Sequence, residues 1–192
     1  MNNLPTTTEQ HSLISQNIYI TGTDRNSGKS IIMLAIMEML TGYAGKVGFF
    51  RPIIHSGDHQ DDLIQFITHR YQPDIPYEAM YGCKSSHAHE LVANQHYDDL
   101  LKIILGKYRA LKSQCDLILC IGSDYRNGDS IFEFDFNAEV ANNLDCQIMP
   151  VMHGADQDNI QILNNLAVNN QKITGGNKWS KSNIVDTQKR PI

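Results

Sequence analysis

Gly22-Thr23-Asp24-Arg25-Asn26-Ser27-Gly28-Lys29-Ser30 lies between two apolar runs, Ile18-Tyr19-Ile20-Thr21 before it and Ile31-Ile32-Met33-Leu34-Ala35-Ile36-Met37 after it. A short apolar run, a glycine-bounded turn and a longer apolar run read as strand, loop and helix, the order that a phosphate-binding loop requires. The backbone N–H groups of such a loop, with a helix N-terminus behind them, form a cradle for anionic oxygens. Gly22, Thr23, Asn26, Ser27 and Gly28 are the cradle in this reading. Lys29 reaches the outer phosphates, and the Ser30 hydroxyl sits on Mg²⁺. The spacing is unusual. Four residues normally separate the first glycine from Gly-Lys, and here five separate Gly22 from Gly28. A chance Gly-Lys-Ser at a helix start is the competing reading, and the strand and helix patterns on either side weigh against it.

Outward from the loop, short apolar runs alternate with helical patterns. Strands are expected over Asn17–Thr21, Val47–Arg51, Leu117–Ile121 and Gln147–Met152, each apolar enough to be covered on both faces. Helices are expected over Lys29–Leu40, Gln60–Tyr71, Tyr97–Lys112, Asn137–Asn143 and Asp158–Val168. In the third, Leu100, Leu101, Ile104, Leu105 and Tyr108 recur at helical spacing while Lys102 and Lys107 face outward. Gly42 is placed to close the first helix. Gln72–Glu90, with Pro73, Pro76 and Gly82, reads as a long connecting loop. Strand and helix in alternation predict a parallel sheet with right-handed crossovers, an α/β fold with helices on both faces.

The five-residue spacing resembles the loop of dethiobiotin synthetases and their relatives. Two further stretches, Asp116-Leu-Ile-Leu-Cys-Ile-Gly-Ser-Asp-Tyr125 and Phe132-Glu-Phe-Asp-Phe-Asn-Ala-Glu-Val-Ala-Asn-Asn143, are similar to the N-terminal domain of long bacterial phosphate acetyltransferases. Phe49-Phe-Arg-Pro52 and Gly57-Asp-His-Gln-Asp-Asp62 fit the same family. The resemblance runs from about Asn17 to Val168. It implies a three-layer, P-loop NTPase-like AAA domain, and ATP or another nucleotide with Mg²⁺ as ligand. It carries Asp24 into the phosphate site, and it places Arg51 where dethiobiotin synthetases have a lysine that helps bind the reacting group. Arginine keeps the charge there but loses the compact ammonium. Pairing of Arg51 with a nearby aspartate is the structural alternative.

The magnesium site departs from the family. Where relatives have a glutamate before the glycine closing the third expected strand, this chain has Ile121, which offers no oxygen to a hard cation. Asp124 is the substitute carboxylate, and Asp58, Asp61 and Asp62 are the candidates for the other one. For Asp58 the competing role is a helix cap, with Asp61 and Asp62 favouring the dipole in the first turn. A further strand ending in an asparagine, which in dethiobiotin synthetases helps hold the adenine, has no counterpart before the tail. The sheet is therefore expected to be short of C-terminal strands.

Composition bounds the rest. The chain has 192 residues, 41% hydrophobic and 19% charged, as one ordinary globular domain requires. A formal net charge of −5 gives no basic surface for nucleic acid. No run is long enough to span a membrane, and no signal pattern opens the chain, which points to the cytoplasm. Residues 1–16 read as a polar leader, 17–168 as the domain and 169–192 as a polar tail without order of its own. Cys120 and Cys146 sit in apolar runs as small buried hydrophobes. His87-Ala-His89 lacks partner ligands for a metal and reads as a solvated loop, and His55, His59 and His69 are read the same way. The acetyl-transfer chemistry of the long relatives belongs to a separate C-terminal domain. The resemblance therefore implies a regulatory and oligomerisation module, with no catalytic residue, binding a small anion or nucleotide and assembling with its own copies or with an acetyltransferase domain. The rival is an ATP-dependent ligase like dethiobiotin synthetase.

Overall fold

A computed structural model of the chain describes residues 17–23, 27–43, 45–71, 74–123, 130–152 and 185–186. Six strands form one sheet: β1 (Ile18–Gly22), β2 (Val47–Ile54), β3 (Tyr81–Lys84), β4 (Leu117–Ile121), β5 (Gln147–Met152) and β6 (Val185–Asp186). Their order is β3-β2-β4-β1-β5-β6, and every neighbouring pair is parallel. Among the described residues five helices accompany them: α1 (Lys29–Tyr43), α2 (Asp62–Tyr71), α3 (Ser85–Ala93), α4 (Tyr97–Lys112) and α5 (Ser130–Asn143). α1 lies against β4, β1 and β5, and α4 against β3 and β2. The chain moves one way across the sheet from β1 to β2 and the other way from β4 to β5. Right-handed crossovers therefore put α1 and α5 on opposite faces. This is the three-layer architecture that the alternating pattern predicts.

The strands are apolar because both of their faces are covered. All five residues of β4 are buried, as are Tyr19, Ile20 and Thr21 of β1. Phe50, Tyr108, Ile104 and Leu100 fill the layer between β2 and α4, while Phe49, its neighbour along the strand, points to the opposite face. The Phe50 and Tyr108 rings meet edge to face at 5.5 Å, an arrangement that adds about 1 kcal/mol to the area they bury.

Three expectations change. Gln72–Glu90 is not a loop: within its described part lie a short 3₁₀ turn (Tyr77–Ala79), β3 and the start of α3. Four residues, Tyr81-Gly-Cys-Lys84, are too few to show a period. Their strand character comes from pairing with β2, Arg51 opposite Tyr81 and Ile53 opposite Cys83. His87 and His89 accordingly sit exposed on a helix, and no group of three metal-ligating side chains gathers among the described residues. Gly42 does not close α1, which continues to Tyr43; among the described residues the only glycine with positive φ is Gly28. Val185–Asp186 adds a two-residue edge strand beside Val151 and Met152, from a segment read as polar tail. The Asp158–Val168 helix and the 1–16 leader lie outside the described residues.

Candidate phosphate-binding site

β1 is the central strand that carries the loop. At its end Thr23 N–H donates to the Val151 carbonyl at 3.0 Å, which ties the loop entrance to β5. Gly28 has φ +78°, a conformation that a side chain resists, so glycine is required there. Its carbonyl accepts from Ile31 N–H at 3.0 Å and Ile32 N–H at 3.3 Å, and so starts the first turn of α1. Ser27 is buried and Ser30 half-buried behind it. Gly22, Thr23, Ser27, Gly28, Lys29 and Ser30 are thus gathered at the carboxyl edge of the sheet, where ligands of open α/β sheets bind. Asp24, Asn26 and Asp124 lie outside the described residues.

Lys29 is the first residue of α1 and is only 5% exposed. Its ammonium donates to the Gly122 carbonyl at 2.9 Å and approaches the Ser123 carbonyl at 3.5 Å, both just past β4. The lysine therefore bridges the loop helix and the end of the neighbouring strand.

A buried polar network supports that strand end. Asn137 of α5, 1% exposed, accepts from Tyr19 Oη at 2.7 Å and from Ser123 N–H at 3.1 Å through one oxygen. Its amide nitrogen donates to the Ser123 carbonyl at 3.3 Å. The Ser123 hydroxyl donates to the Ile53 carbonyl and accepts from Ile53 N–H, both at 3.1 Å, and so extends the β2–β4 pairing beyond the ladder. Gly122 has no room for a side chain, since a Cβ would stand 2.5 Å from the Asn137 oxygen. Sequence reading singled out the segment around Asn137 but assigned no role to Asn137, Ser123 or Tyr19. The available signal was faint, since Asn142 and Asn143 offer amides in the same helix.

Arg51 and the aspartates form a different cluster. Asp61, not Asp58, caps α2: its Oδ1 accepts from Leu63 N–H and Ile64 N–H, each at 3.1 Å. Asp58 is exposed in the bend before it. The other Asp61 oxygen pairs with the Arg51 guanidinium, and Asp61 N–H donates to Tyr77 Oη at 2.8 Å. β2 continues three residues past Arg51, so Arg51 is mid-strand and engaged with a carboxylate. Its Nε is buried and has no partner among the described residues.

Burial pushes the Cys83, Cys115 and Cys120 thiols up, away from the reactive thiolate. Cys146 is drawn down by a hydrogen bond from Cys120, and it lies 3.3 Å from a Tyr108 hydroxyl that burial raises strongly. Cys120 and Cys146 are buried, as their apolar surroundings predict.

A glycine-gated loop at the end of a central parallel strand, with its lysine at the start of the following helix, is the geometry of phosphate-loop proteins. The sequence profile described as "AAA domain" matches residues 16–177. The chain belongs to that family. Among curated proteins it is 42% identical over 143 residues to a phosphate acetyltransferase of Nitratidesulfovibrio vulgaris, a match covering 73% of this chain and 20% of that protein. It is 34% identical over 139 residues to a phosphate acetyltransferase of Synechocystis sp., covering 71% of this chain and 20% of that protein. The chain thus spans about a fifth of the length of these relatives. Among the described residues no helix is long and apolar enough to cross a membrane.

The described residues suit a phosphate better than a metal. Lys29 and the α1 N-terminus supply positive charge. At the end of β4, where a carboxylate would face a cation, Ile121 is fully buried and apolar. The Ser123 hydroxyl nearby is already used by Ile53.

Proposed function

We propose that this chain is the phosphate-loop module of a phosphate acetyltransferase of the long kind, corresponding to its N-terminal region. In this reading it binds a phosphate-bearing ligand weakly and serves regulation or subunit assembly, while acetyl transfer belongs to another part of such a protein. The observation that carries the reading is the pairing of two facts. The relatives named phosphate acetyltransferase match over only a fifth of their length, and in this chain that stretch is occupied by a phosphate-loop fold. The anion would lie against the Gly22–Ser30 loop, with Lys29 turning from the Gly122 carbonyl to meet it. Nucleotide is the ligand class that the loop favours. A divalent cation would have to draw its ligands from residues other than Ile121.

The ligase alternative needs a carboxylate at β4 and a cation free to hold the reacting group. Ile121 supplies no carboxylate, and Arg51 is engaged by Asp61.

Two measurements test the proposal. Calorimetric titration with ATP, ADP, NADH and pyruvate, with and without Mg²⁺, should show phosphate-dependent binding that gains little from the metal. Acetyl-coenzyme A formation from acetyl phosphate by the purified chain should stay at background. Heat-sensitive turnover would overturn the division of labour, and Mg²⁺-dependent ATP hydrolysis would restore the ligase.

A further inference from the structure

We infer that Asn137 is the positioning residue of the loop lysine, acting through a single peptide group. The inference deepens the phosphate-loop reading and rests on it for the role of Lys29. The Gly122 carbonyl that holds the Lys29 ammonium and the Ser123 N–H held by Asn137 belong to the same peptide unit. In a trans peptide these two groups point in opposite directions, so fixing the N–H aims the carbonyl. Donation of the N–H to Asn137 also polarises the carbonyl and makes it a better acceptor for a cation.

Asn137 itself cannot turn. Its oxygen takes two donors, Tyr19 Oη at 2.7 Å and Ser123 N–H at 3.1 Å, and a flipped amide would oppose both with its own N–H groups. Its nitrogen grips the Ser123 carbonyl, the second oxygen near Lys29. The missing side chain at Gly122 lets the amide come this close. A residue on α5 that need not touch ligand therefore sets where the ammonium of α1 stands.

The test reads Lys29 directly and needs no ligand. The folded chain is treated with succinimidyl acetate, and modification of Lys29 is followed by peptide mass spectrometry against Lys102, which is 74% exposed. In Asn137→Ala, Lys29 should react about tenfold faster while Lys102 is unchanged, as expected when a charge-assisted hydrogen bond loses its support. Tyr19→Phe removes one donor only and should accelerate Lys29 about threefold. If Asn137→Ala does not fold, its lysines react alike and Tyr19→Phe decides. An unchanged Lys29 rate in the folded variants would overturn the inference. ATP titration of the unsubstituted chain separately tests the loop reading, so loss of that reading would leave the labelling result standing. Where ATP binds, Asn137→Ala should weaken it about tenfold.

Discussion

Lys29 carries two loads. In the proposed phosphate contact it would supply a full charge beside the partial charges of the loop amides, so Lys29→Ala should weaken a bound nucleotide by about 1.5–3 kcal/mol, roughly 10- to 150-fold. Titration calorimetry would show it. The lysine is also buried against the Gly122 carbonyl, and removing it leaves that oxygen without its cation. The variant should therefore lose about 1–3 kcal/mol of stability in denaturant unfolding as well. Sequence reading assigned Lys29 the phosphate role alone. It placed Lys29 at the loop from Gly-Lys-Ser and the strand and helix patterns around it, but the carbonyl that holds its ammonium is 93 residues away, and a carbonyl leaves no mark in a sequence. Ile121 also changes meaning. From the family pattern, Ile121→Glu would restore a magnesium ligand. In a fully buried position an unpaired carboxylate costs on the order of 3 kcal/mol, so the variant should unfold at lower denaturant before any gain in Mg²⁺-dependent binding appears.

Among elements, α2 hangs on the Asp61 side chain. Asp61 caps its first turn and neutralises Arg51, whose side chain is 12% exposed. Asp61→Ala removes both roles and should cost about 3 kcal/mol, read by denaturant unfolding; Asp61→Asn, which can still cap, should cost less. The sequence showed an acidic cluster before a helix and the option of an arginine–aspartate pair, but which aspartate caps depends on where the helix begins. That boundary is among the least legible features of a sequence. β3 was illegible for a related reason, since an edge strand of four residues takes its conformation from its neighbour. The apolar runs of β4 and β5 were legible because cover on both faces leaves an unbroken apolar run, and that of α1 because it is too long for a strand. In α4, Lys102 and then His96 hold the Asp99 carboxyl below the ordinary range. A depressed carboxylate stabilises the fold above its unfolded value and loses that contribution as pH falls through the folded value. Asp99→Asn should therefore lower the melting temperature slightly at neutral pH, and the gap should close as pH drops below about 4. The pair is exposed, so the shift is small.

Across the whole molecule, the sheet order brings together pieces that are far apart in the chain. β1 lies between β4 and β5, and the loop entrance hangs on the Val151 carbonyl. A chain stopped at Asp145 keeps every element before β5 yet leaves β1 open along one side, so it should show no cooperative unfolding transition by circular dichroism. The order β3-β2-β4-β1-β5-β6 also bears on biosynthesis. β1 is among the first described segments to leave the ribosome, and its last full-length neighbour, β5, ends at Met152. At 5–20 residues per second, the strand bearing the loop waits roughly 6–26 s for that neighbour. Through this interval its apolar run stays within reach of chaperones. The most recognisable motif in the chain thus takes its final shape only after most of the described segments have been made.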